Sequence, residues 1–557
     1  MPARLSPAHQ LPVHVRQRQR LAQRGWRALD RAMQRASTYR HPAGRVRRIE
    51  THISVVYLAG RYAYKVKKRV NPGFVDFTQA QARERSCADE FRLNRRLARE
   101  LYCGVATVTR RGRVYRIAGT GTGTGTGTGS IAEHAVRMRR FDEHDIFKAL
   151  HARGELGFAE VDALAGQLAT FHRHAPRKPP RAVLGSAPFV REQMRTVLTA
   201  LERETGESLP ARISVWCESE GKRLAGHFDV RRAGGFVREC HGDLHLDNIV
   251  RRGKRVLMFD CIEFDDGLRW IDVASDLSFP LMDLQACGRQ DLATRLLNGW
   301  LQRTGDFAAL PALRYYMVYR ALVRALVAVL KARNQPHDDG LTQASPYLHL
   351  VERLIQPQRA YLLLCHGYCG SGKSVASEAL VSLVGAVRLS SDIERKRGRP
   401  FAPVDPRPLP AEAYTPHSID QHYDLLLRLA QEVLLAGYPV LVDATFLKRA
   451  HRARFAALAH SLGVPVFLLD FHARARQLEE RVQARAAASH TASDAGPLVL
   501  IRQLANEEPL SPEEMQRTVC FDTEVPLADF GHLDYWRKLL RRLCEPEAAA
   551  PTEAVHG

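Results

Sequence analysis

Eight consecutive residues constrain this chain more than any other stretch. Gly367-Tyr368-Cys369-Gly370-Ser371-Gly372-Lys373-Ser374 fits G-x-x-x-x-G-K-[ST] with nothing missing. An apolar run, Tyr361–His366, precedes it as a strand, and Val375–Leu383 follows as a helix. Glycines at these positions let successive backbone N–H groups turn toward a β-phosphate, reinforced by the positive end of the helix. The pattern predicts that Lys373 reaches the β- and γ-phosphates of a nucleotide and that Ser374 ligates Mg²⁺. A glycine turn that merely opened a helix would not need Gly-Lys-Ser.

The rhythm around this motif is strand, helix, strand. Tyr361–His366, Ala386–Leu389, Pro439–Val442 and Val464–Leu469 are short apolar runs between helical segments, which implies a parallel sheet covered by helices. Ligands of such sheets gather at the carboxyl ends of strands. The second strand ends in Ser390-Ser391-Asp392, so Asp392 is placed to accept a hydroxyl proton or hold the metal, unless it only caps the next helix. The third ends in Asp443-Ala444-Thr445, where a carboxylate would support Mg²⁺. Arg481 and Arg485, one helical turn apart, would close over the phosphates or else form a solvated face. Cys369, near Lys373 and a helix N-terminus, is expected to have a lowered thiol pKa, the alternative being a small filler.

These residues resemble the P-loop small-molecule kinases, the group holding gluconate kinase, chloramphenicol phosphotransferase and polynucleotide kinase. The resemblance covers roughly 358–530 and rests on Gly367–Ser374, Ser391-Asp392, Asp443-Ala444-Thr445 and Arg481/Arg485. It implies that Asp392 serves the acceptor hydroxyl, without specifying the acceptor.

The first half has its own polar set. His241-Gly242-Asp243 is followed by Asn248 and then by the strand Val256–Phe259, ending at Asp260. Phosphoryl transfer calls for such a set: one carboxylate to take the acceptor proton, an amide and a second carboxylate to hold Mg²⁺. A zinc reading of His241 and His245, four residues apart, lacks a third ligand and leaves Gly242 and Asn248 unexplained. The H-G-D-x-x-x-x-N variant resembles the aminoglycoside phosphotransferase and choline kinase-like family over roughly Thr51–Arg333. The resemblance implies Asp243 as catalytic base and Asn248 and Asp260 as metal ligands. It further implies a strand lysine paired with a helix glutamate to position ATP. Lys65, in the second arm of a hairpin (His52–Leu58 and Tyr62–Lys67), and Glu90, on the helical stretch Ala80–Glu100, are assigned to it. Lys67, Lys68, Glu84 and Glu100 are the substitutes. Two departures stand out: a tight turn around Gly60 in place of a glycine-rich cover, and a Gly-Thr alternation, Gly119–Gly129, expected to widen a hairpin before Ile131–Arg139. The tandem order resembles a bacterial family of bifunctional aminoglycoside phosphotransferase-like and P-loop ATP-binding (AAA_33-type kinase) proteins. Thr51-His52-Ile53-Ser54, Asn71–Phe77 and Phe259–Phe264 are its recurring stretches.

At 557 residues more than one core is expected. The expected fold is an α+β protein-kinase-like (aminoglycoside phosphotransferase-like) domain over 41–355, then an α/β P-loop NTPase domain over 356–544. A basic tail, 1–40, with an amphipathic stretch around Leu21–Met33, and a loose tail, 545–557, flank them. The net charge of +22 comes mostly from arginine spread along the chain. No basic-aromatic motif accompanies it, so solvated guanidinium groups are favoured over a nucleic-acid surface. The ten cysteines form no CxxC pair, no run approaches the ~18 apolar residues of a membrane span, and the start lacks an apolar core of a secretory signal. A reduced, cytoplasmic setting is expected. Together these features point to ATP-dependent phosphoryl transfer to a hydroxyl of a small polar molecule. The alternatives are a polynucleotide-kinase-like enzyme acting on nucleic acid, and a P-loop kinase regulated by a non-catalytic first half.

Overall fold

The computed structural model describes residues 24–71, 73, 75–120, 129–177, 183–332, 340–405, 407–487 and 496–544. The chain divides into two compact units. One is Met1–Ala152 with His241–Gly253 and Leu257–Arg269; the other is Arg153–Cys240 with Lys254–Val256 and Trp270–Gly557.

The first unit is built on an antiparallel sheet. Its strands are β1 (Arg47–Glu50), β2 (Ser54–Ala59), β3 (Tyr62–Lys67), β4 (Tyr102–Arg111), β5 (Val114–Thr120) and β6 (Ser130–Arg139), in spatial order β1-β2-β3-β6-β4-β5. Aromatic and β-branched side chains dominate β2 and β3, which suits a pleated, covered surface. Every residue of β3 is buried. Helix α1 (Ala80–Ala98) buries Cys87, Glu90, Leu93 and Leu97, an i, i+3/i+4 spacing that turns one stripe to the sheet. The stretch read as an amphipathic part of a basic tail is helical over 24–33, and Leu29 and Met33 are buried beside Tyr57 and Tyr64. Its arginines stay outside while its apolar stripe completes the core.

The Gly-Thr repeat lies mostly outside the described residues, as does the tail 545–557. The strands it joins are described, and they correct the hairpin expectation: β5 and β6 each pair with β4, on opposite sides. Chain neighbours here are not sheet neighbours.

The second unit carries a five-stranded parallel sheet. Its strands are β7 (Leu362–His366), β8 (Val387–Ser390), β9 (Val440–Asp443), β10 (Val466–His472) and β11 (Thr518–Asp522), in order β8-β9-β7-β10-β11. Strands β7 and β9 are buried throughout, as continuous apolar runs covered on both faces must be. Register pairs Ser390 with Asp443, so two strands end side by side at the same rim. Helix α2 (Gln290–Thr304) lies against edge strand β8: Asn298 accepts from Arg388 N–H at 2.7 Å and donates to Ala386 O at 2.9 Å. Elsewhere in this unit the buried Arg231 is held between Asp272 and Asp306. Among the described residues no helix is long and apolar enough to cross a membrane.

Candidate active sites

In the first unit, strand periodicity turns Lys65 and Lys67 to the same face of β3. Lys65 Nζ lies 3.1 Å from Glu90 Oε1 and also bonds Asp260. Lys67 Nζ bonds the other oxygen of Glu90 and also Glu263, which accepts from Ser86 Oγ at 3.0 Å as well. One buried glutamate therefore orients two lysines. Burial alone would lower the Lys65 pKa, but the carboxylates of Asp260, Glu90 and Glu263 outweigh it and raise it well above the ordinary lysine value. Asp260 answers in kind: burial pushes its carboxyl up, and the Lys65 charge and hydrogen bond, with Lys67, bring it below the usual range.

The substitutes for these two residues separate cleanly. Lys68 pairs with Glu50, Glu84 sits 3.7 Å from His134, and Glu100 pairs with Arg252 at 3.3 Å. Lys67 alone joins the site, together with Glu263, which sequence reasoning missed. The available signals were the i, i+2 lysine pair and the acidic residue inside Phe259–Phe264.

Asp243, Asn248 and Asp260 sit on connecting segments held from several sides. Gly242 has φ +87°, and a Cβ there would lie 2.6 Å from Leu268 O, so glycine is required before Asp243. His241 donates from Nε2 to Phe259 O at 2.9 Å, while its Nδ1 lies 3.3 Å from the Asp243 amide. Both ring nitrogens are thus occupied in positioning the loop, which leaves zinc ligation no lone pair. Asn248 Nδ2 donates to Asp243 O at 2.9 Å and lies 3.3 Å from Asp243 Oδ2. With its NH₂ so used, Asn248 offers its carbonyl oxygen as a hard ligand, and Asp260 offers a carboxylate. Asp260 itself has φ +65°, its N–H donating to Tyr102 Oη at 3.2 Å, and the next amide, Cys261, donating to Asn94 Oδ1 at 2.9 Å. Two side chains therefore hold a backbone turn that few non-glycine residues adopt.

In the second unit the phosphate loop connects β7 to helix α3 (Lys373–Val384). Gly367 has φ +133°, and a Cβ would lie 2.4 Å from Phe471 O. Lys373 Nζ donates to Tyr368 O at 3.0 Å. Ser374 Oγ donates to Asp443 Oδ1 at 3.3 Å. That hydroxyl and carboxylate are hard oxygen donors of the kind Mg²⁺ takes, side by side at the helix start. The other oxygen of Asp443 accepts from Arg388 at 2.5 Å, a partner that the sequence did not suggest.

Lys373, Ser374, Asp392, Asp443 and Arg485 line one cavity of about 410 Å³. Asp392 enters it from the short helix α4 (Ser391–Arg395), whose first residue has its hydroxyl 3.0 Å from His422 Nε2. Burial and the Arg395 charge push the His422 imidazole down to about 3. Opposite, α5 (Ala475–Ala487) and α6 (Pro497–Ala505) close on the phosphate loop. Gln503 Oε1 accepts the Cys369 N–H at 2.8 Å, and Tyr368 donates to Glu507.

Two expectations change here. Arg481 and Arg485 do not act as a pair: Arg481 donates to Thr523 O at 2.7 Å and to Gly370 O at 3.3 Å, bracing the loop from outside the cavity that Arg485 lines. Cys369 is a filler, packed with Leu478, Val482 and Leu500. Burial raises its thiol pKa, against the lowering by Lys373 and Arg485. The local motif foretold the cations but not the helices that pack against the thiol. Gly370, Ser371 and Gly372 complete the loop, with Ser371 fully buried.

Fold and sites define a kinase-like phosphotransferase domain followed by a P-loop kinase domain. Residues 63–316 match the phosphotransferase enzyme family (APH), and residues 362–510 match an AAA domain family (AAA_33). The uncharacterized protein Rv2004c of Mycobacterium tuberculosis is 30% identical over 455 residues, 80% of this chain and 87% of the relative. The chain belongs to the family of that mycobacterial protein. Among solved structures, it is similar to a choline/ethanolamine kinase family protein from Mesorhizobium loti, with 14% identity, 59% of this chain and 95% of that one covered, and a TM-score of 0.36. It is also similar to a gluconokinase from Sinorhizobium meliloti, with 22% identity, 33% and 97% covered, and a TM-score of 0.23.

Proposed function

We propose that this chain is a cytoplasmic, ATP-dependent phosphotransferase that moves the γ-phosphoryl group to a hydroxyl of a small polar molecule, with a kinase-type site in each half. One observation carries the reading: Lys373, Ser374, Asp392 and Asp443 line the same cavity. Phosphoryl transfer is mostly positioning and charge stabilisation, and this set supplies a phosphate cradle, a cation, hard metal ligands and a carboxylate for the acceptor proton.

In the P-loop half, Lys373 exchanges the Tyr368 carbonyl for phosphate oxygens, and Asp392 takes the acceptor's proton. Arg485 faces the transferring group. In the first half, Glu90 holds Lys65 toward the phosphates, and Asp243 serves as base, oriented through Asn248 and the turn at Gly242. Ser374 and Asp443 in one site, and Asn248 and Asp260 in the other, are the residues that would hold Mg²⁺, which neutralises charge on the phosphates when bound.

The test is phosphoryl transfer from γ-labelled ATP across a metabolite library, with wild type, Asp243→Ala and Lys373→Ala. Each variant is expected to abolish labelling of one class of acceptor and spare the other. Absence of Mg-nucleotide binding in calorimetry of the wild type would refute the reading. Labelling that survives intact in Asp243→Ala would make the first half regulatory.

A further inference from the structure

The cavity of the P-loop half has an excess of positive charge that a nucleotide does not use up. Its lining includes five cationic side chains, Lys373, Arg395, Lys448, Arg485 and Arg502, against two carboxylates, Asp392 and Asp443. Asp443 is already matched by Arg388. Lys373 and Arg485 lie on the phosphate-loop side, where both act on the Cys369 thiol. Arg395 and Lys448 belong to the other side.

Arg395 stands three residues after Asp392 on α4, a spacing that turns both side chains the same way. The Tyr423 hydroxyl, in the cavity wall, feels the charge of both. The Arg395 guanidinium lies over the Tyr414 ring at 5.3 Å, which fixes its plane but does not neutralise it. Its Nε is buried without a hydrogen-bond partner, and among the described residues Arg395 forms no ion pair. Lys448 immediately precedes the helix Arg449–Ser461 and also forms no ion pair among the described residues. The carboxylate whose charge Lys448 reaches is Asp420, which is exposed and already paired with His451 at 2.8 Å. Two half-buried cations with no ion pair of their own, lining the same cavity as Asp392, leave a countercharge for the ligand to supply.

Resting on the reading of this half as a hydroxyl kinase, we propose that its acceptor is a small anionic molecule. Its carboxylate or phosphate group is held by Arg395 and Lys448, while its hydroxyl meets Asp392. Acceptors bearing amino groups, positively charged at neutral pH, are disfavoured by the same field. Arg395 and Lys448 set specificity and take no part in the proton transfer.

The test uses the full chain with Mg-AMPPNP filling the phosphate loop and radiolabelled sulfate as the probe in equilibrium dialysis. One saturable sulfate site is expected, weakened at least tenfold in Arg395→Gln and in Lys448→Gln, with Mg-AMPPNP affinity unchanged within twofold. Arg395→Lys, which keeps the charge, is expected to lose less than threefold. No saturable sulfate binding, or sulfate binding indifferent to both glutamine variants, overturns the proposal. Equal loss in Arg395→Lys and Arg395→Gln, with both melting as wild type, also overturns it. Phosphorylation of matched acceptors in the Asp243→Ala background then separates the anion's source: glycerate against glycerol for a carboxylate, glucose 6-phosphate against glucose for a phosphate. Turnover of neutral members as fast as their anionic partners overturns the assignment as well. Failure of wild type to bind Mg-AMPPNP at all sinks instead the kinase reading beneath it.

Discussion

Replacing Arg388 with methionine probes the buried pair beneath the P-loop metal ligands. Arg388 donates to Asp443 at 2.5 Å, to Ser374 O at 3.2 Å and to Ser377 Oγ at 3.1 Å. The two charged side chains are only 11% and 3% exposed. Methionine keeps most of the volume and removes the charge, leaving Asp443 with a single hydroxyl partner. Breaking one side of a buried pair costs about 3–5 kcal/mol, chiefly because the remaining charge is stranded. Asp443→Asn strands the guanidinium instead and should cost a similar amount. The double variant strands neither, so its loss should fall short of the sum by about 2–3 kcal/mol. Mg²⁺ should stabilise Arg388→Met more than wild type, since the stranded carboxylate then has a cation to itself. Urea unfolding of the four proteins, with and without Mg²⁺, measures every term. A loss under about 1 kcal/mol in Arg388→Met, or additivity within about 0.5 kcal/mol, would refute the argument.

Two further outcomes follow from the geometry. Gly242→Ala forces a side chain onto Leu268 O at a left-handed turn; a destabilisation of about 1–3 kcal/mol and loss of labelling by the first site are expected, measured in a Lys373→Ala background. His422, pushed down to about 3 in the folded chain, stays neutral there while the unfolded chain protonates below the ordinary value of 6.5. The stability it contributes is therefore complete above pH 6.5 and lost as pH falls toward 3. Between pH 6.5 and 5 that amounts to about 2 kcal/mol, which His422→Gln should remove from the pH dependence of urea unfolding.

What could be read from the sequence was what chain neighbours decide. The phosphate loop is eight adjacent residues whose glycines, lysine and serine need only the flanking strand and helix. Asp392 and Asp443 were placed by a rule of sheet topology, that ligands collect where parallel strands end. Pairings made by distant segments were not legible. Glu263 joins Lys67 across nearly two hundred positions, and Arg388 meets Asp443 only because β8 and β9 lie in register. Cys369 shows the same limit from the other side: its near neighbours are cationic, yet packing from α5 and α6 determines its chemistry. The order of β5 and β6 around β4 follows from the sheet as a whole, which a repeat of glycine and threonine does nothing to announce.

The amide of Asn298 caps one N–H and one C=O on the open side of β8, the outermost strand of the parallel sheet. Cutting the chain ahead of the phosphate loop would strip that cover and bare a row of peptide groups, an invitation to strand-by-strand self-association. A P-loop fragment produced alone is accordingly a poor stand-in for the intact polypeptide. Aggregation of such a piece would report the missing helix α2 rather than any weakness in its nucleotide chemistry.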